Sequence, residues 1–149
     1  MDQDVPEHAS KTCGNPANSS VALVISADPA CCKSIAGIIS ECGLPAVCCQ
    51  TVREGQSALQ CQNLAVVFCS DALPDGDFRA VLAAAKRSLA SPPLIVLSRV
   101  AEWDAYLAAL GAGAFDYIAC PPTRAETHRI LGCALNGSTE LPLAVRVAC

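Results

Sequence analysis

The chain has 149 residues, 52% of them apolar and only 16% charged, and a net charge of −4. That is the length of one domain with apolar matter for a single well-buried core, and it excludes a disordered chain and a basic footprint for nucleic acid. No apolar run is long enough to cross a membrane, and the N-terminus, MDQDVPEHASKTCGNPANSS, opens on acids without the apolar stretch of an export signal. The expectation is a cytoplasmic protein that works on neither nucleic acid nor membrane.

Residues 1–19 are polar and rich in Ser, Asn and Pro, and read as a flexible tail. The domain proper is expected over 20–137. Val21–Ser26 (VALVIS) is a continuous apolar run of strand length, the pattern of a strand buried on both faces. Asp28-Pro29 supplies a helix N-cap and first-turn proline. The helix that follows, Ala30–Cys42, lines up Ile35, Ile38 and Ile39 and ends at Gly43. Leu44–Cys49 is a second strand, and the proline near its start places it at a sheet edge. Thr51-Val52-Arg53-Glu54 has the form of a capping box and opens a helix reaching Gln60.

Leu64–Cys69 is a third buried strand. A loop from Ser70 to Gly76 leads to a helix over Asp77–Leu89, with Asp77 as its N-cap and Phe78, Val81, Leu82 and Ala85 at helical spacing. Asp71, Asp75 and Gly76 read as turn chemistry. Leu94–Leu97 is a fourth strand, stopping at Ser98. Glu102–Leu110 is a helix closed by Gly111, with Trp103, Tyr106, Leu107 and Leu110 on one side. Tyr117–Ala119 is a short fifth strand, interrupted by Cys120-Pro121-Pro122. Thr123–Asn136 is the last helix, with Ile130, Leu131 and Leu135 inward. Residues 138–149 are a C-terminal tail, apolar but without a partner in this pattern.

Five buried strands alternating with five helices specify an α/β domain, a doubly wound parallel sheet with helices on both faces. The flavodoxin-like order 2-1-3-4-5 is a common solution, and its sites lie beyond the carboxyl ends of the strands. Ser26, Ser70, Ser98 and Cys120 occupy those ends.

The eleven cysteines contain no C-x-x-C pair. Zinc ribbons and thioredoxin-like sites are poorly supported. Most of the cysteines fall where the pattern is apolar, and there a free thiol acts as a small hydrophobe. His8 and His128 have no base–nucleophile context. No enzyme is expected.

With these elements in place, residues from Val21 to about Asn136 resemble a CheY-like response-regulator receiver domain. Four segments carry the resemblance: Ser26-Ala27-Asp28-Pro29 after the first strand, Ser70-Asp71-Ala72-Leu73-Pro74-Asp75-Gly76 after the third, Leu94–Ser98 with its terminal hydroxyl, and Gly113–Pro121 (GAFDYIACP). The family forms an acyl phosphate on a carboxylate ending the third strand. Mg²⁺ is held there by that carboxylate and an acidic pair, and a Ser or Thr and a Lys contact the phosphoryl oxygens. Mg²⁺ requires hard oxygen ligands, and the transferring phosphoryl group requires positive charge at its oxygens.

Against that pattern the chain is degenerate. Ser70 stands at the phosphoacceptor position. Ser26, Ala27, Asp28 and Asp71 make up the acidic-pocket positions, and Ser26 and Ala27 replace the acidic pair itself. Cys120 replaces the lysine. Only Ser98 and Tyr117, the switch positions, keep the family's residue types. Asp71 and Asp28 each stand one residue late, and Lys33, Arg99 or Arg124 could supply a cation.

The resemblance then implies a pseudo-receiver in two-component signalling that acts by protein–protein contact without phosphorylation, with Mg²⁺ binding weak or absent and no other cofactor. Its partners are proteins of a signalling pathway, or a second copy through the fourth-helix, fifth-strand, fifth-helix face. Trp103 and Tyr106 are the candidate interface, or alternatively a helix stripe folded onto the body. The resemblance also implies a cis Cys120-Pro121 bond. A second reading is a cysteine-based redox-responsive module using Cys120 with Cys69, or Cys48 with Cys49.

Overall fold

The structure, a computed structural model, describes residues 20–88, 90–100 and 102–137. Both expected tails, with His8, lie outside the described residues, as does Leu89, the expected end of the third helix. Five strands form one parallel sheet: β1 (Val21–Ile25), β2 (Ala46–Cys49), β3 (Leu64–Ser70), β4 (Leu94–Ser98) and β5 (Asp116–Ala119). Their order is β2-β1-β3-β4-β5, as the alternation of elements requires. Five helices connect and cover them: α1 (Pro29–Glu41), α2 (Val52–Cys61), α3 (Phe78–Arg87), α4 (Trp103–Ala112) and α5 (Arg124–Gly137).

All five residues of β1 and all five of β4 are buried, because both faces of the sheet are covered. The pleat sends Leu23, Ile25, Val67, Cys69 and Val96 toward α2, α3 and Ala109 of α4. It sends Ala22, Val24, Val66, Phe68, Ile95 and Leu97 toward α1 and α5. Strands that feed two cores at once read as unbroken apolar runs rather than as alternation.

Local capping chemistry sets the helix starts. The Asp28 carboxylate accepts from Ala30 N–H at 3.1 Å, and Pro29 opens α1. At α2, Thr51 Oγ1 accepts from Glu54 N–H at 3.1 Å while Glu54 Oε1 reaches back to Gln50 N–H at 2.8 Å. Asp77 caps α3 through Arg79 N–H at 3.0 Å.

Four expectations are corrected. The fourth helix does not close at Gly111. It runs to Ala112 and closes at Gly113, whose φ of 115° suits only glycine. Gly113 N–H and Ala114 N–H satisfy the carbonyls of Leu110 and Ala109, and Lys86 Nζ from α3 satisfies that of Ala112 at 2.9 Å. Leu135 is 43% exposed rather than inward. The buried residues of α5 are Thr127, Ile130, Leu131, Cys133 and Ala134, and Leu135 falls just past their edge. The second strand begins at Ala46 instead of Leu44, because Pro45 has no N–H and joins the ladder only by accepting from Ala22 N–H at 2.8 Å. The expected loop over 70–76 contains a two-residue antiparallel ribbon that pairs Ala72–Leu73 with Gly76–Asp77.

Candidate functional site

The carboxyl ends of β1, β3, β4 and β5 border a cleft of ≈340 Å³. Ser26, Ala27, Asp28, Cys31, Ser70, Asp71, Arg99 and Cys120 all line it, so every expected acidic-pocket position comes together there with the phosphoacceptor and lysine positions. What each side chain does is set by short-range partners.

Ser26 is buried, and its Oγ accepts from Asp28 N–H at 3.1 Å, shaping the turn out of β1. Both oxygens of Asp28 are engaged: Oδ1 caps α1, and Oδ2 takes the Arg99 guanidinium at 3.2 Å. At the end of β3, Asp71 N–H continues the ladder onto the Leu97 carbonyl at 2.8 Å. Asp71 is exposed and adds the second carboxylate of the cleft. Of the three candidate cations, only Arg99 lines the cleft. Lys33 is exposed on α1, and Arg124 pairs with Glu41 at 2.6 Å, where His128 Nε2 also approaches to 3.9 Å.

Ser98 and Tyr117 are both buried and meet on one backbone carbonyl. Ser98 Oγ donates to Val100 O at 2.8 Å and accepts from Val100 N–H at 3.1 Å, and Tyr117 Oη donates to the same Val100 O at 2.9 Å. Nothing in the local sequence pattern points to Val100, because its contribution is a main-chain oxygen.

Cys120 Sγ stands 2.8 Å from Cys31 Sγ, and the Cys120-Pro121 bond is cis. Burial, then the Cys31 contact, push the Cys120 thiol up to about 12, with Arg99 opposing. Burial likewise pushes the Cys69 thiol up, and the Asp77 and Asp71 carboxylates add to it. Cys69 and Cys120, paired in the redox reading, lie on opposite faces of the sheet: Cys69 faces α2 and α3, while Cys120 packs against the α1 and α5 core. Cys48 and Cys49 are likewise split: Cys49 packs on the first of these cores, while Cys48 Sγ lies 3.7 Å from the Cys32 carbonyl of α1.

Structural comparison decides what this arrangement is built on. A CheY-like response-regulator receiver domain from Methanospirillum hungatei JF-1 superposes with a TM-score of 0.71 at 20% identity, covering 78% of this chain and 94% of that one. A two-component response regulator from Clostridium difficile gives 0.72 at 19% identity, over 80% and 98%. The receiver domain of a sensor histidine kinase from Pseudomonas aeruginosa PAO1, with a magnesium ion coordinated in its active-site cleft, gives 0.71 at 21% identity, over 79% and 98%. The chain has the CheY-like receiver fold. No family model matches the sequence, and neither does any curated protein.

The cleft of this receiver fold is a poor fit for Mg²⁺. The ion wants several carboxylate or carbonyl oxygens in an octahedron. Here Ser26 is turned to the backbone, Ala27 has no ligand atom, and Asp28 is held by a helix terminus and a guanidinium. Among the described residues, no three His, Cys, Asp or Glu side chains gather as a metal-holding group.

The two candidate interface residues part ways: Tyr106 is half-buried and packs against the core on the α2 and α3 side, while Trp103 stands clear of the body. Trp103 is 69% exposed, with Val100 and Leu107 exposed beside it. Its ring stacks on Tyr106 at 5.3 Å, and Tyr106 meets buried Tyr117 edge-on at 6.0 Å. The ladder runs from the Val100 node outward to the surface.

Asp75 does more than turn the chain. Its carboxylate accepts from Val52 N–H at 2.8 Å and Arg53 N–H at 3.1 Å, capping α2 from a loop 23 residues away. The Val52 N–H, helped by that of Arg53, holds Asp75 below the usual carboxylate range. A carboxylate depressed in the folded state contributes stability that is present above its unfolded pKa, about 4, and lost as pH falls through the folded value. Asp75→Ala is expected to lower Tm at neutral pH and to flatten the acid limb of the Tm–pH curve. Thermal melts from about pH 3 to about pH 7 check both, and parallel curves for the two proteins would contradict the cap.

Proposed function

We propose that this chain is a degenerate receiver-type module of two-component signalling that acts through protein contact without aspartyl phosphorylation. The observation that carries this reading is Asp28. The one acid retained after the first strand has both oxygens committed, one to α1 and one to Arg99. A Ser70 hydroxyl cannot form an acyl phosphate, and Cys120 puts a protonated thiol where an ammonium would meet the phosphoryl oxygens. The switch positions bear on the same reading. Ser98 and Tyr117 are tied to Val100 O by the protein's own backbone, so the arrangement they hold needs no phosphoryl group. Without phosphorylation to shift populations, its association state is constitutive rather than switched.

The contact surface proposed is the face of α4, β5 and α5, with exposed Trp103 at the start of α4 and Tyr106 stacked against it. A second copy of the chain is the partner proposed for it. Among the described residues no helix is long and apolar enough to cross a membrane.

Incubation with acetyl phosphate and Mg²⁺, or with a phosphohistidine donor protein, is expected to leave the intact mass unchanged. An added phosphoryl group that disappears in Asp71→Asn would show instead a switch moved one residue along the chain.

A further inference from the structure

We propose that Cys31 and Cys120 form a reversible disulfide across the wall of the cleft, made by exchange with a low-molecular-weight disulfide of the glutathione type. Cys31 lies in the first turn of α1, positioned by the Asp28 cap and Pro29. Cys120 directly follows β5, in the position the receiver fold gives to a cation. Both line the cleft, and their sulfurs stand 2.8 Å apart although 89 positions separate them in sequence. A covalent S–S bond is about 2.05 Å, so a small approach of the two side chains closes it. The other nearby cysteines lack this geometry: Cys32 directs its sulfur to the carbonyls of Ser26 and Cys49, and Cys69 is fully buried on the opposite face of the sheet.

The exchange balances in two steps. Cys120, half-buried at the cleft, loses its proton to solvent, attacks one sulfur of the small disulfide and expels the first thiolate. Cys31, beneath it, then loses its proton, attacks the Cys120 sulfur of the mixed disulfide and expels the second. The two cysteines give up two electrons, the small disulfide becomes two thiols, and the two protons end on them. Burial keeps Cys120 protonated at neutral pH, so the exchange is slow and the pair follows the redox poise rather than a brief oxidant pulse. The bond ties α1 to the segment leading into α5. Its formation does not depend on the contact function proposed above.

The test equilibrates the full chain in buffers of graded reduced and oxidised glutathione, followed by acid quench, alkylation and peptide mapping, with a Cys32→Ser background to separate the adjacent Cys31 and Cys32. The expected result is a bridged pair of peptides holding Cys31 and Cys120. Tm in the oxidised state should be higher by roughly 10 °C or more, since the bond closes a loop of this length, and the difference should vanish in Cys120→Ser and in Cys31→Ser. Full alkylation of both residues after equilibration in oxidised glutathione overturns the proposal. So does a bridge mapping to Cys32 and Cys48 in the chain that keeps Cys32, or one joining two chains through the exposed Cys42 or Cys61 in place of the Cys31–Cys120 bridge.

Discussion

Phe68→Ala is expected to cost about 3–5 kcal/mol, the range for an aromatic truncated in a closed core. Phe68 is fully buried at the middle of β3, the central strand, and faces α1 and α5. Its neighbours Val24, Ile95, Ile35 and Leu131 belong to four different elements, so no single shift collapses the space left behind. Domains of this kind hold about 5–15 kcal/mol in all, and the variant therefore sits near the edge of folding. Urea titration is the measurement: the midpoint should fall steeply with the slope unchanged. Leu135→Ala, at an exposed position, is the control and should stay within about 0.5 kcal/mol of the parent. If Phe68→Ala costs no more than Leu135→Ala, the packing described for the α1 and α5 side of the sheet is wrong.

How far the chain could be read in advance depended on distance along it. Asp28-Pro29, Thr51 with Glu54, and Asp77 each act within four residues of themselves, and a linear pattern displays such chemistry openly. The apolar runs of β1, β3 and β4 were legible for a related reason: burial on both faces removes the ambiguity of which side points in. The positions Ser26, Ser70, Ser98 and Cys120 could be placed at the cleft because strand ends follow from the strands. What they do there could not be read. That Val100 O serves Ser98 and Tyr117 together, that Asp75 caps α2, and that Arg99 holds Asp28 are tertiary facts. The Cys31–Cys120 approach is the extreme case, since no spacing rule reaches across 89 residues. Leu135 shows the opposite failure. A helical stripe has an edge, and one residue past it the same apolar type faces water.

Trp103→Ala is expected to weaken self-association by about 30-fold or more while leaving the monomer nearly as stable as before. The two effects separate because of where the ring sits. At 69% exposure it buries little within its own chain, and its intramolecular contribution is the stack on Tyr106 at 5.3 Å, worth about 0.5–1.5 kcal/mol. At an interface the same ring would bury nearly all of its surface, and tryptophans at interface centres cost about 2 kcal/mol or more when truncated, which is about 30-fold in Kd. The stack also fixes the ring in one orientation before contact, which reduces the ordering cost of binding. Because Tyr106 leans on Tyr117, and Tyr117 is anchored on Val100 O, Tyr117→Phe should weaken association less than Trp103→Ala: it removes the anchor and keeps the apolar ring. Sedimentation of parent and both variants over a wide concentration range, with melts alongside, reads both quantities. A parent that stays monomeric at every concentration removes the second copy as the partner of this face. A Trp103→Ala variant that unfolds would return the aromatic ladder to the core.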